Sequence, residues 1–242
     1  QLAILNEMSR KLSEQLDVEQ VCRTVYHYTA SLIDATVFYI ALNLKETRQV
    51  EFPLRVDNGQ IPPPYRREYL NGLPEYLFEH GQPLLIPENI SEFVTKTLGI
   101  SMVGQVALSW LGVPMVYGED VIGVIALQSY THANFYTSEH RDLLTAIANQ
   151  AAVAIQNARL YTQEQRRRQM VEDSFRLTGV QYLWGGGSGH GIDCSGLAQV
   201  IHRLSGITIL RDADMQMLAG KPVEPPYLPG DLVFFGEKGE KK

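Results

Sequence analysis

Two long apolar runs separated by a short polar turn place the strongest constraint on the fold of this chain. Residues 106–117 and 121–129 are rich in apolar and β-branched side chains, and only the Gly-Glu-Asp turn at 118–120 separates them. Such a spacing predicts an antiparallel hairpin. Residues 36–42 (TVFYIAL) and 49–56 form a second pair of β-prone runs around a polar loop. The sequence therefore predicts an antiparallel sheet.

Helical patterns flank these strands. Apolar residues recur at three- to five-residue steps from Leu2 to Val25, which predicts an amphipathic helix ending near Asp34. A second helix is predicted from Thr137, a suitable N-cap, to at least Tyr161. This helix carries a heptad-spaced seam of mostly small residues: Ile147, Ala151, Ala154, Ala158 and Tyr161. The patterns predict an α+β sandwich with both terminal helices on one face, and a homodimer formed through the seam.

Composition excludes several classes of function. Lys and Arg total 21 against 27 for Asp and Glu, and the resulting charge of −6 argues against nucleic acid as a partner. No apolar run is long enough to predict a membrane span. Cys22 and Cys194 are the two cysteines, which predicts neither a disulfide framework nor a metal site, and no cofactor is expected. The sequence starts at Gln1 rather than at an initiator methionine, and it lacks a secretory signal pattern. We therefore expect the chain to be a piece of a longer protein.

Three segments together resemble a GAF domain over about residues 1–161. They are the opening LAILNEMSRKLSEQLDVEQV, the hairpin LGVPMVYGEDVIGVIALQS and the closing FYTSEHRDLLTAIANQAAVAIQNARLY. The resemblance implies a GAF-like antiparallel sheet with flanking helices and a sensory role with an unknown small-molecule ligand. We expect Cys22 to be a small buried hydrophobic residue rather than a cofactor anchor. Residues 162–170 read as a polar helical linker.

A cysteine stands where a glycine-rich turn meets a helix pattern near the end of the chain. Cys194 follows Asp193 and precedes Ser195 and Gly196, and apolar residues at helical spacing continue to Leu204. The N-terminus of a helix carries partial positive charge and free N–H groups, which favour a thiolate and can stabilise an oxyanion. Cys194 is therefore a candidate nucleophile.

Four ordered blocks over about residues 171–242 resemble the NlpC/P60 cysteine peptidases. The blocks are Tyr182-x-Trp184-Gly185-Gly186, Asp193-Cys194-Ser195-Gly196, Arg211-Asp212, and LPGDLVFF at residues 228–235. The resemblance implies a papain-like α+β hydrolase that cuts peptidoglycan stem peptides, commonly between D-glutamate and the diamino acid. Peptidoglycan stem peptides or muropeptides are then the expected partners.

The resemblance also implies roles for individual residues. Cys194 matches the nucleophile that forms a thioester at the γ-D-glutamyl carbonyl. Asp193 and Ser195 match positions that help to hold the L-Ala-γ-D-Glu end of the substrate, and Tyr182 matches a tyrosine whose hydroxyl points into the site. Asp212 matches the acidic residue of an Arg-Asp-Ser stretch. The next residue here is alanine, which calls one expected substrate hydrogen bond into question.

The general base of this family is a histidine on the strand after the LPGDLVFF block, and no histidine follows His202 in this sequence. His202 lies eight residues into the predicted helix, about 12 Å along its axis. This distance excludes His202 as the base if the helix is regular, and the flexible glycine-rich loop would orient His190 poorly for that role. The resemblance thus implies an incomplete papain-like domain with little or no peptidase activity as written. It also predicts a strand at residues 232–235 and exposed apolar surface on the helix at residues 195–204.

These observations predict three segments: a GAF-like sensory domain at residues 1–161, a helical linker at 162–170 and the N-terminal part of an NlpC/P60-like domain at 171–242. The predicted function is bacterial cell-wall peptide hydrolysis coupled to a GAF sensor. Two alternatives stay open: a GAF-based signalling protein with an inactive peptidase half, and a chimera of two unrelated pieces. The GAF domain indicates a cytoplasmic location, whereas these peptidases mostly act outside the cytoplasm, so the compartment stays open.

Overall fold

The computed structural model describes residues 2–101 and 104–235 of the chain. The chain divides into two compact units, Gln1–Leu160 (unit 1) and Tyr161–Lys242 (unit 2).

Unit 1 contains a six-stranded antiparallel sheet with the strand order β3-β2-β1-β6-β5-β4. The strands are β1 (Val37–Leu44), β2 (Gln49–Asp57), β3 (Tyr65–Glu68), β4 (Leu84–Ile86), β5 (Ser109–Tyr117) and β6 (Asp120–Ser129). Both predicted strand pairs are confirmed, and β1 joins them by pairing with β6. The short β3 follows three consecutive prolines, which break the pattern by which a strand is recognised in sequence.

The helices of unit 1 differ from the prediction at the N-terminus, where one continuous helix was expected. The structure has two, α1 (Leu2–Ser13) and α2 (Val18–Leu32). The break has a local cause, because Asp17 has extended backbone angles and its side chain caps α2 by accepting a hydrogen bond from the Gln20 N–H.

The remaining helices of unit 1 follow strands of the sheet. They are α3 (Leu73–His80), α4 (Ile90–Glu92) with a π-helical turn after it (Phe93–Thr97), and α5 (Ser138–Arg176), which contains residues of both units. Thr137 precedes α5, and its hydroxyl accepts a hydrogen bond from the His140 N–H at 3.4 Å, as expected of an N-cap. Within the described ranges, no helix has the length and hydrophobicity that crossing a membrane requires.

Two hydrophobic clusters cover the two faces of the sheet. The larger joins the sheet to α1, α2 and α5, which confirms that both terminal helices lie on one face. Cys22 belongs to this cluster and is fully buried, as predicted, and burial raises the pKa of its thiol to about 12. The smaller cluster contains Leu77 of α3, Val94 of the π-helical turn and Trp110 of β5.

The prediction that the heptad-spaced seam on α5 packs against a partner chain is wrong. Ile147, Ala151 and Ala158 are fully buried, and Ala154 is nearly so, in the cluster against the chain's own sheet. Small residues at heptad spacing allow a close approach of helix to sheet as readily as of helix to helix. Dimerisation through other residues of the terminal helices stays a prediction.

The buried seam gives a first testable prediction. We expect Ile147→Ala to lower the free energy of unfolding of unit 1 by about 2–5 kcal/mol, because it leaves a cavity between α5 and the sheet. Val153→Ala on the exposed face of the same helix is the matched control, with an expected change within about 0.5 kcal/mol. Urea unfolding followed by the fluorescence of the buried Trp110 in a Trp184→Phe background measures both. Equal effects of the two substitutions would contradict the intramolecular assignment of the seam.

Unit 2 has little hydrophobic core in the part that the structure describes. Its elements besides α5 are β7 (Gly187–Ser188), β8 (Gly191–Ile192), α6 (Cys194–Leu204) and α7 (Ala213–Ala219). Met170 and Ile192 are the buried hydrophobic residues among the described residues of this unit. The apolar residues of α6 are half-buried or exposed, and Leu204 is 61% exposed. The predicted exposed apolar surface of this helix is confirmed.

The predicted strand at residues 232–235 is wrong. These residues have no regular structure, and they follow a turn in which the Asp231 N–H donates to the Leu228 carbonyl. A strand exists only when a neighbour pairs with its backbone. No described strand of unit 2 pairs with this segment.

Candidate active site around Cys194

Cys194 is the first residue of α6 and carries an exposed, free thiol. The β7–β8 hairpin leads directly into this helix, so the glycine-rich sequence forms the turn before the cysteine, as predicted. The first N–H groups of a helix have no partner within the helix. Those of Cys194 and Ser195 also have no acceptor elsewhere in residues 2–101 and 104–235. Two free N–H donors therefore lie at the residue that carries the thiol and at the next one, and such donors can stabilise an oxyanion.

Asp193 closes the start of α6. It is the N-cap residue, and its Oδ1 accepts a hydrogen bond of 2.7 Å from the Gly196 N–H, while Oδ2 accepts one of 2.8 Å from the Gly185 N–H. The side chain is 10% exposed. The Arg211 guanidinium, followed by these backbone N–H groups, holds the pKa of Asp193 well below its usual range, against the opposing effect of burial. Asp193 is therefore a buried, ionised helix cap.

Arg211 ties together the residues on both sides of the cysteine. Its Nη1 donates to Asp193 Oδ1 at 3.0 Å and to Ser195 Oγ at 2.9 Å. Its Nη2 donates to Asp193 Oδ2 and to the Gly186 carbonyl, each at 2.9 Å. This fork is a bidentate charge-assisted pair with two further bonds. It connects the glycine-rich turn to the first turn of α6.

Gln216 adds a second connection to the start of α6. Its side-chain amide is buried in α7 and donates to the Ser195 carbonyl at 3.0 Å and to the Leu210 carbonyl at 2.8 Å. The sequence does not mark Gln216 as a site residue, because a glutamine between two methionines belongs to no recognisable motif. Arg211 had a signal as part of the Arg-Asp block, but its partner Asp193 lies 18 residues away in the chain.

The structure brings together some of the predicted site residues. Asp193 and Ser195 flank Cys194, and the Ser195 hydroxyl donates to Asp193 Oδ1 at 3.3 Å. Tyr182 lies beside β8 through a bridge to Ile192 and is 60% exposed. Asp212 is the exposed N-cap residue of α7, without a side-chain capping bond. Among the described residues, no hydrogen bond joins the side chain of Tyr182 or Asp212 to Asp193, Ser195 or Arg211.

Neither histidine of unit 2 hydrogen-bonds to the Cys194 thiol in the described part of the chain. The His202 ring is buried, and its Nδ1 forms a 2.8 Å hydrogen bond with the Ala198 carbonyl one turn earlier. His190 lies exposed between β7 and β8, where its backbone N–H donates to Ser188 Oγ at 3.3 Å. A general base must come within hydrogen-bond reach of the thiol, directly or through one water.

A separate cavity lies within unit 1, on the sheet face that carries the smaller hydrophobic cluster. Its volume is about 350 Å³, at the lower end of the range for small-molecule sites. Side chains from five strands line it, among them Tyr39, Arg55, Tyr65, Trp110 and Gln128.

Comparison with protein families gives two matches that divide the chain. A model described as a GAF domain matches residues 15–156, and a model described as the NlpC/P60 family matches residues 179–242. The GAF domain of an Acinetobacter phosphoenolpyruvate-protein phosphotransferase is similar in structure, with a TM-score of 0.52 and 14% identity over 66% of this chain and 95% of that chain. The corresponding GAF domain from Coxiella burnetii gives 0.51 and 15% over 66% and 94%. The predicted α+β GAF fold is confirmed.

The curated relatives match only a short stretch of the chain. A gamma-D-glutamyl-L-lysine dipeptidyl-peptidase of Bacillus cereus is 47% identical over 67 residues, which are 27% of this chain and 20% of the relative. A bifunctional muramidase/DL-endopeptidase of Bacillus subtilis is 40% identical over 75 residues, which are 30% of this chain and 23% of the relative. The chain thus spans about a fifth to a quarter of the length of these relatives.

Proposed function

Because the chain belongs to the GAF domain family and carries an NlpC/P60 match after the GAF match, we propose that it is a cell-wall peptide hydrolase with a sensory domain. Unit 1 is the sensor and takes a small molecule. Residues 162–170, within α5, are the connection, and residues 171–242 belong to the peptidase domain. The substrate class is a peptidoglycan stem peptide or muropeptide that contains a γ-D-glutamyl bond.

One observation carries the proposal: an exposed thiol at the start of a helix whose cap is fixed by a buried ion pair. In the proposed reaction the Cys194 sulfur attacks the γ-carbonyl carbon of D-glutamate, and the carbonyl oxygen becomes an oxyanion facing the free N–H groups. The C–N bond then breaks, and a general base passes the thiol proton to the departing amine. Water finally hydrolyses the thioester.

Asp193 and Arg211 position this nucleophile in the proposal. The carboxylate of Asp193 is already hydrogen-bonded inside the protein, so its part is to hold the first turn of α6. Ser195 is held in the same cluster by Arg211. Tyr182 and Asp212, which are more exposed, are the residues we propose to contact the substrate.

A peptide electrophile tests the proposal on residues 1–242 without requiring a general base for the leaving group. We choose the γ-chloromethyl ketone of L-alanyl-D-glutamate, whose reactive carbon adjoins the carbonyl of the scissile bond. The Cys194 sulfur displaces chloride and forms a thioether, which intact mass and peptide mapping locate. We expect this probe to modify Cys194 at least about tenfold faster than its α-chloromethyl ketone isomer. Free L-Ala-γ-D-Glu should protect the thiol.

Equal rates for the two isomers would contradict the proposed substrate class. They would favour the second candidate function, a GAF-based signalling or interaction protein with an inactive peptidase half. One observation supports that alternative: neither His190 nor His202 hydrogen-bonds to Cys194 in the described part of unit 2.

A further inference from the structure

A row of paired residues crosses the sheet of unit 1 beside its cavity. Across β5, β6, β1 and β2, the paired residues are Gly112, Ala126, Tyr39 and Arg55, and Tyr39 and Arg55 line the cavity. The Trp110 ring lies over Gly112, where an added Cβ would come within 2.1 Å of the indole. The glycine therefore allows the indole, which also lines the cavity, to lie against the sheet.

Planar groups form one side of this cavity. The rings of Phe52 and Tyr65, which are paired across β2 and β3, stack with centroids 4.7 Å apart and planes 5° apart. The Arg55 guanidinium carbon lies 4.5 Å from the centroid of the Tyr65 ring. Such planar groups give the cavity a flat wall, which favours a flat ligand over a bulky aliphatic one.

Arg55 has a charge that the described protein does not neutralise. It forms no ion pair within 4 Å in residues 2–101 and 104–235, and its Nε is buried without a hydrogen bond. Arg67 also lines the cavity but is paired with the buried carboxylate of Glu75. Asp57 is exposed and accepts a hydrogen bond from the Asn58 side chain at 2.8 Å. An unpartnered buried donor is costly, and an anionic acceptor removes that cost.

A second donor lies in the same cavity. The indole Nε1 of Trp110 is buried without a hydrogen bond of normal geometry, although the Tyr39 hydroxyl is near it. The unpartnered Nε of Arg55 and the aromatic wall together define a ligand with an anionic group and a flat ring.

We propose that this cavity binds a small planar aromatic anion, with its carboxylate or phosphate on Arg55 and its ring in the space towards Trp110. This inference extends the sensory role proposed for unit 1 by giving the chemical class of the ligand. The volume of about 350 Å³ admits a single-ring compound with a short acidic substituent.

The two tryptophans of the chain provide a direct measurement. Trp110 is 1% exposed and lines the cavity, whereas Trp184 is 87% exposed in unit 2, so Trp184→Phe leaves Trp110 as the reporter. The probes are phenylacetate and phenyl phosphate, with neutral phenylacetamide and ring-free acetate as controls. We expect the two aromatic anions to change Trp110 emission saturably, with dissociation constants about tenfold or more below those of both controls. Saturation by phenylacetate alone or phenyl phosphate alone identifies which acid group the site takes.

Arg55→Met and Arg66→Met form a matched pair. Arg66 is an exposed arginine on β3 that pairs with Glu51 and does not line the cavity. We expect Arg55→Met to bind phenylacetate as weakly as phenylacetamide, and Arg66→Met to keep the preference for the anion. Circular dichroism melting curves confirm that both variants are folded.

Three results would overturn the inference: no saturable change with either anion, equal affinity for phenylacetamide and for the tighter-binding of the two anions, or equal effects of the two substitutions. Capture of the γ-chloromethyl ketone by Cys194, measured on the same protein, reports separately on the peptidase proposal. A failed titration with intact capture therefore rejects only the ligand class.

Discussion

Replacing Cys194 by alanine will reduce capture of the γ-chloromethyl ketone to background, a loss of about hundredfold or more. The thioether needs a sulfur, and Cys194 is the cysteine with an exposed thiol. Cys22 is fully buried in unit 1, and burial raises its pKa to about 12, so its thiol is protonated at pH 8 and shielded from the probe. Intact mass measured over time at pH 8 gives the rates.

Cys22→Ala is the matched control for this prediction. This substitution removes the other thiol. We expect the probe to modify Cys194 in this variant at the rate measured for the unchanged chain. In denaturing urea both cysteines become accessible, so the unchanged chain should carry two labels in total and each single variant should carry one. Persistent capture by folded Cys194→Ala would show that the probe reacts with another nucleophile, and the assignment of Cys194 would fail.

Replacing Asp193 by alanine is expected to have the second largest effect. It removes the N-cap of α6 and leaves Arg211 without its carboxylate, and the lost cap alone costs about 1–2 kcal/mol of helix stability. We expect hydrogen exchange in residues 194–204 to accelerate by roughly five- to thirtyfold. Capture by Cys194 should slow in parallel, because the thiol and the free N–H groups lose their fixed geometry. Asp214→Asn, in the exposed first turn of α7, is the control that should change neither quantity.

The ion pair also predicts a pH dependence. The pKa of Asp193 is lowered from an ordinary value of 3.8, so its contribution to stability is complete above that value and is lost as pH falls through the lower folded-state pKa. After correction for intrinsic rates, protection of α6 should therefore decline below about pH 4. Asp193→Asn keeps a capping oxygen but has no charge, and its protection should not show this decline. An identical pH profile for both proteins would contradict the role of the ion pair.

Local sequence signals predicted most of the elements. The Gly-Glu-Asp turn and its flanking runs gave β5 and β6, because a turn fixes its two neighbours without help from the rest of the chain. The glycine-rich stretch followed by Asp193 gave the start of α6, because an N-cap acts on residues two or three positions away. The same signal at Asp17 marks the break between α1 and α2, which the longer apolar periodicity concealed.

Pairings between distant residues could not be predicted in this way. Heptad spacing correctly indicated that one face of α5 is buried, but the pattern does not identify what covers it, and here it is the chain's own sheet. The strand expected at residues 232–235 illustrates the same limit, since β-prone composition supplies no partner backbone. The cavity of unit 1 depends on Tyr39 and Arg55, paired across β1 and β2, lying on the same sheet as Trp110 of β5.

The sequence by itself determined that this chain carries a GAF-like sheet and a cysteine at the start of a helix, because short-range patterns specify turns, caps and the faces of elements. The tertiary structure alone decided that Asp193 is an ionised cap held by Arg211, and that Arg55 lies unpaired in a cavity with an aromatic wall. The physical reason is that charge pairing and burial depend on which distant residues meet. That is fixed only when the strands and helices pack.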